Sequence, residues 1–149
     1  MSRLTAPSAM CHVYVLGRDA YVPTVAIAPF GYVDFPPVAH ATFAEPADLA
    51  ALVRSRLEGG LTRVETTFKD PRLAAVPTAA AAKSWKAFEK KATLFELRLG
   101  DEPFAQHVHR LDIDNNLAAT NTTRLPLATQ DIGPATEAFV AWIMERSAP

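Results

Sequence analysis

The chain has 149 residues, 49% of them hydrophobic and 21% charged, with a formal net charge of -1. A chain of that length folds as one domain around one core, removing roughly 70% of its unfolded surface from water, and its composition is far from that of disordered chains. The near-zero charge excludes a global electrostatic draw towards nucleic acid or an anionic membrane, and Cys11, the only cysteine, excludes an intramolecular disulfide and a zinc ribbon.

Residues 1–9 contain Thr5, Pro7 and Ser8 but no apolar run, so they lack a signal core and are expected to be flexible. No segment reaches the roughly 18 apolar residues a membrane span needs. With its lone thiol, the chain is expected to be cytoplasmic. Residues 11–16 are short, apolar and β-branched and stop at the turn-forming Gly17-Arg18-Asp19, which predicts a strand. Residues 21–28 predict a second strand in which Pro23, having no N–H, must sit at an edge or a bulge. Residues 30–35 alternate in size and are bracketed by Pro29 and Pro36-Pro37, and residues 38–43 predict a separate fourth strand.

Pro46 suits the first position of a helix, with Leu49, Leu52, Val53 and Leu57 on one face and Gly59-Gly60 at the end. Residues 63–68 predict another strand. From Thr78 an alanine run leads into residues 83–91, predicting one amphipathic helix with Trp85, Phe88 and Ala92 inside and Lys83, Lys86 and Lys90 outside. Ser84 is placed to cap a helix start. Residues 94–99 alternate, with Phe95, Leu97 and Leu99 opposite Glu96 and Arg98, and residues 104–113 pair back as a hairpin. Residues 120–123 fit an edge strand or a loop, and a last helix opens near Gly133-Pro134 with Phe139, Val140 and Ile143 buried. The expected fold is α+β, a mainly antiparallel sheet against about three helices in a single domain spanning 1–149. The apolar residues of both central helices, the 94–99 strand and the last helix are expected to form one contiguous core beneath the sheet.

Few residues form patterns that carry chemistry. His107 and His109 are two apart on a predicted strand and so share a face, where two imidazoles can hold a cation, but a metal site needs further ligands that the spacing does not supply from Asp112, Asp114, His40 or His12. No metal and no cofactor is therefore expected. Cys11 and His12 are strand neighbours pointing to opposite faces, which rules out a thiolate–imidazolium pair between them. There is no Gly-x-Ser-x-Gly elbow, dinucleotide fingerprint or phosphate loop, and Asp112-Ile113-Asp114 departs from a calcium loop in having Leu117 where glycine belongs. The stripe Lys83, Lys86 and Lys90, supported by Lys91, suits an acidic protein surface; with no aromatic residue on its face to stack bases, nucleic acid is not the expected partner.

The segment Tyr21-Val22-Pro23-Thr24-Val25, followed by Gly31-Tyr32-Val33-Asp34 and Val38, and the block Lys83-Ser84-Trp85-Lys86-Ala87-Phe88 resemble a set of small bacterial proteins, some of them immunity proteins of contact-dependent growth inhibition systems. The resemblance implies a cytoplasmic α+β protein that neutralises a cognate toxin by stoichiometric binding, with no chemistry of its own. The near-neutral charge departs from that of an inhibitor mimicking nucleic acid. Lys83, Lys86, Lys90, His107 and His109 are the candidate partner-binding residues. The alternatives are a small hydrolase or metal-dependent enzyme using His107 and His109, and an accessory subunit of a larger assembly.

Overall fold

The computed structural model describes residues 7–108 and 122–147. Seven strands, β1 (Ala9–Leu16), β2 (Asp19–Ala28), β3 (Gly31–Thr42), β4 (Thr62–Arg63), β5 (Thr93–Leu99), β6 (Phe104–Val108) and β7 (Thr122–Pro126), form one sheet. Its order is β3-β2-β1-β5-β6-β7, antiparallel throughout, with β4 making a short parallel contact to β2 off that path. The helices are α1 (Pro46–Gly59), α2 (Ala75–Ala79), which follows a 3₁₀ turn at Pro71–Ala74, α3 (Trp85–Glu89) and α4 (Ile132–Ser147). The fold is α+β, as the sequence predicts.

Strand alternation divides the interior in two. Cys11, Val13 and Val15 of β1 and Phe95, Leu97 and Leu99 of β5 face α1 and α4, which contribute Leu49, Val53 and Leu57, and Ala135, Phe139 and Ile143, at spacings of four. The opposite face holds a smaller cluster, in which Tyr14 packs with Val76, Phe88 and Ala92. The single core expected from periodicity is thus corrected to two, because α1 and α4 cover one face while α2 and α3 cover the other. Phe88 and Phe139 are buried on opposite sides of the same sheet, each worth about 1.5–3 kcal/mol of apolar burial.

Three further expectations are revised. The two strands proposed for 30–35 and 38–43 are one, β3: its register with β2 breaks between Val22 and Thr24, where residues 36–38 stand opposite Pro23. Prolines fit such a bulge because no ladder N–H is needed there. The carbonyls the bulge leaves over are satisfied by side chains, Arg56 Nη2 donating to Val22 O (3.3 Å) and Pro37 O (3.2 Å) and Thr24 Oγ1 to Pro37 O (3.1 Å). The strand expected at 63–68 reduces to Thr62–Arg63, after which Thr66 Oγ1 turns to Asp70 Oδ2 (2.5 Å).

The long helix expected through the alanine run is broken between α2 and α3. Alanine favours helix, but Ser84 is extended and its Oγ accepts the Ala87 N–H (3.1 Å), starting a new helix as predicted for a cap. The Trp85 indole N–H donates to Leu73 O (2.8 Å), folding α3 back over α2, and Ala81 reverses the chain at a φ of +57°. At the N-terminus the ladder reaches Ala9, paired with Leu99, and the Ser8 N–H donates to Leu99 O (2.8 Å). The first six residues, and residues 109–121 with much of the hairpin expected there, lie outside the described residues.

Candidate functional site

The lysines, the histidine pair and a polar row across the sheet are the groups from which a site can be built. The row follows from register. His12 on β1 is opposite Glu96 on β5, Glu96 opposite Gln106 on β6, and Gln106 opposite Arg124 on β7, so the four side chains line up on one face. They bond in sequence: the His12 Nε2–H donates to Glu96 Oε2 (2.8 Å), Gln106 Nε2 to Glu96 Oε1 (3.3 Å) and Arg124 Nη2 to Gln106 Oε1 (3.4 Å). Arg98, two residues along β5, adds a short bond from Nε to Glu96 Oε1 (2.6 Å).

Asp34, from the far half of β3, closes the row at its other end. Its Oδ1 accepts from His12 Nδ1–H (2.7 Å) and its Oδ2 from the Tyr14 hydroxyl. His12, Asp34 and Glu96 are about nine-tenths buried. Burial by itself would depress the His12 pKa, but Asp34 and Glu96 more than offset it and raise the pKa to about 10. Burial likewise works against the Glu96 carboxylate, yet His12 and Arg98 bring its pKa down to about 2. Tyr14 is held neutral by burial and by its Asp34 partner. The centre of the row is an imidazolium between two carboxylates, both ring nitrogens donating. Such a histidine has no lone pair to accept a proton at neutral pH, so the arrangement fastens β3 to β1 and β5 and is not set up as a general base.

Cys11 points to the other face, as its position next to His12 requires. It is fully buried, and burial pushes its thiol pKa up to about 12, which makes it a packing residue and a poor nucleophile.

His107 lies on the α4 side of the sheet. Its ring stacks on Phe95 (4.1 Å, 7°), meets Trp142 edge-on (6.4 Å) and accepts at Nδ1 from Arg146 Nε (2.9 Å). One edge borders a recess of about 240 Å³ shared with Lys91 and Arg146. His109, like Asp112 and Asp114, lies outside the described residues, while His12 is on the opposite face and His40 is paired with Asp19 (2.7 Å). Among the described residues no group of three or more histidine, cysteine and acidic side chains could hold a metal.

The lysines surround a pocket. Lys83 precedes the α3 cap, Lys86 lies on α3 and Lys90 ends it, and all three are exposed together with Lys91. Lys83, Lys90 and Lys91 rim a cavity of about 410 Å³ whose walls are Leu16, Ala87, Phe88 and the alanines 80–82. The sequence announced the basic stripe, but not the cavity, which exists because the helix breaks. The polar row was also missed, because Asp34 and Glu96 are 22 and 84 residues from His12; the available signal was His12 in the middle of an otherwise apolar strand.

With this geometry in place, comparison with solved structures finds a match over nearly the whole chain. A chain of the CdiA-CT/CdiI toxin and immunity complex from Yersinia pseudotuberculosis superposes with a TM-score of 0.54, at 13% identity, over 92% of this chain and 97% of that one. The two share a fold. A Neisseria meningitidis protein of unknown function is also similar, with a TM-score of 0.49 at 13% identity, over 95% of this chain and 99% of that one. No protein-family model and no curated protein matches the sequence. None of the described helices is long and apolar enough to cross a membrane.

Proposed function

We propose that this protein is a binding module of the immunity type, which neutralises a cognate toxin by stoichiometric contact and has no chemistry of its own. The observation that carries the reading is the fold shared, over 92% of the chain, with a chain of a toxin and immunity complex. Two features of the site support it. The one buried histidine flanked by carboxylates is locked as a cation with both nitrogens engaged, and His107 is wedged between Phe95 and Arg146, so neither is arranged as a catalytic base. The exposed lysines 83, 86 and 90 stand on a scaffold fixed by Phe88 and Trp85, a preformed basic face of the kind that sets association rate with an acidic partner. The buried thiol of Cys11 fits the reducing compartment to which the reading assigns the protein.

The test is genetic and biochemical together. The tagged protein is purified from its native cells, and copurifying toxin domains are identified, expressed alone and titrated with it. The expected result is a one-to-one complex on gel filtration and rescue of growth in cells expressing the toxin. Copurification with no toxin domain, together with failure to rescue growth against toxins encoded beside it, would reject the immunity reading.

A further inference from the structure

We propose that the pocket between β1, the chain break at residues 80–84 and α3 receives an apolar side chain carried on an acidic segment of the protein partner. The proposal rests on the binding-module reading only for the occupant being a protein; the chemistry of the pocket comes from its own walls.

The floor is apolar and rigid. Phe88 lies within ring contact of Tyr14 (5.7 Å), Trp85 (5.9 Å) and Tyr21 (6.4 Å), and the Trp85 indole is tied to Leu73 O. The wall recedes because residues 80–82 are alanines whose side chains end at Cβ, and the chain reversal at Ala81 holds the gap open. At about 410 Å³ the cavity falls within the roughly 300–1,000 Å³ over which protein pockets receive ligands.

The wall also says what the pocket does not take. The amides of Ala80, Ala81 and Ala82 already donate to Val76 O (3.1 Å), Thr78 O (3.1 Å) and Pro77 O (2.8 Å), so this stretch offers no cradle of free N–H groups to a bare oxyanion. Charge is confined to the rim. Lys83, Lys90 and Lys91 border the opening, no acidic residue does, and among the described residues none of the three forms an ion pair. In a chain whose net charge is -1, this is a local cationic collar around an apolar hole. Lysine stems can lie along the apolar mouth while their ammonium groups meet carboxylates on either side of the inserted residue. Interfaces draw most of their affinity from a few anchors buried in pockets, while complementary charge around them sets association rate and specificity.

The experiment uses the full chain, labelled with nitrogen-15, and a capped peptide of one phenylalanine flanked by two aspartates on each side. Two control peptides replace the phenylalanine by alanine or the aspartates by lysines. The expected result is saturable shifts of the amide signals of Leu16, residues 80–83 and Lys91. Affinity should fall at least tenfold for either control peptide and for Ala87→Trp, which fills the mouth, and the triple variant K83E/K90E/K91E should bind more weakly at low salt and reverse the salt dependence. Melting curves check folding, with Ala87→Met replacing the tryptophan variant if that one melts early. Absence of shifts at these amides up to millimolar peptide, or equal binding by the controls or the filled variant, overturns the proposal. Peptide seated in the pocket with no toxin neutralised rejects the immunity reading alone, and a neutralised toxin that binds the filled variant as well as the native protein rejects the pocket alone.

Discussion

Replacing His12 by glutamine removes the cation on which the polar row depends, and the loss can be estimated from the site. The variant leaves Asp34 and Glu96 in a nine-tenths buried space with a neutral amide between them, Asp34 keeping the Tyr14 hydroxyl and Glu96 keeping Arg98 and Gln106. Removing one member of a buried ion pair costs about 3–5 kcal/mol, and here the charge left without compensation is Asp34, since Glu96 keeps Arg98. Titration sets a second, independent scale. The ordinary histidine pKa of 6.5 rises to about 10 in the folded protein, a span that at about 1.4 kcal/mol per pH unit amounts to no more than about 5 kcal/mol. Because the folded value is the higher one, this stabilisation is complete below pH 6.5 and is lost as pH rises through about 10. Urea unfolding, followed by the fluorescence of Trp85 and Trp142 at intervals from pH 6 to pH 10, should show the variant less stable by about 3–5 kcal/mol at the acid end. The gap should close progressively as the native protein loses its imidazolium. A gap under about 1 kcal/mol at pH 6.5, or one that stays constant to pH 10, would refute the assignment of His12 as a buried cation.

At the acid end Glu96, with its pKa lowered from 4.5 to about 2, should make the native protein lose stability as pH falls from 4.5 through 2, a loss that Glu96→Gln should reduce in the same urea assay. Phe88→Ala and Phe139→Ala should each cost about 3–5 kcal/mol by denaturant titration. Since the two rings lie on opposite faces of the sheet, the double variant should give their sum within about 0.5 kcal/mol. Ala81→Gly should raise stability by about 1 kcal/mol, because glycine takes a φ of +57° without steric penalty; a lower melting temperature would contradict this. Reversing Lys83, Lys86 and Lys90 to glutamate should leave the melting curve unchanged and slow association with an acidic toxin at low salt, by stopped-flow measurement; unchanged rates would place the interface elsewhere.

Local order was legible in the sequence wherever one periodicity dominated. Leu49, Val53 and Leu57 are four apart, as are Ala135, Phe139 and Ile143, and these triplets seat α1 and α4. Phe95, Leu97 and Leu99 alternate with Glu96 and Arg98, and β5 runs accordingly. What periodicity cannot say is on which side of a sheet a helix lies, and so Phe88 and Phe139 were assigned to the same core. The alanine run reads as helix on propensity alone, which Ser84 and the tethered Trp85 indole override. Pro36-Pro37 reads as the end of a strand, yet the strand continues because Arg56, on the helix that follows it, supplies the donors at the bulge. Of the candidate site, the lysines were legible as exposed cations. Their pocket and the His12 row depend on pairings between residues far apart in the chain, which no local pattern encodes.

The bulge at Pro23 has a mechanical consequence. Before it, β2 is bonded to β1 through Tyr21, Ala20 and Asp19; beyond it β2 leaves β1 and takes β4 at Ala26 and Ile27. The outer half of the β2–β3 ribbon, residues 24–35, is therefore held by partners other than β1: Val25, Ala26, Ala28 and Phe35 are buried, Asp34 is tied to His12, and the Arg72 guanidinium lies over the Phe35 ring (4.5 Å). Its turn presents Phe30, stacked on the exposed Phe68 (4.2 Å, 26°), outside both cores. A fluorophore carried at Phe30 would thus report on the contact between the β2–β3 turn and the segment that follows β4, away from either core.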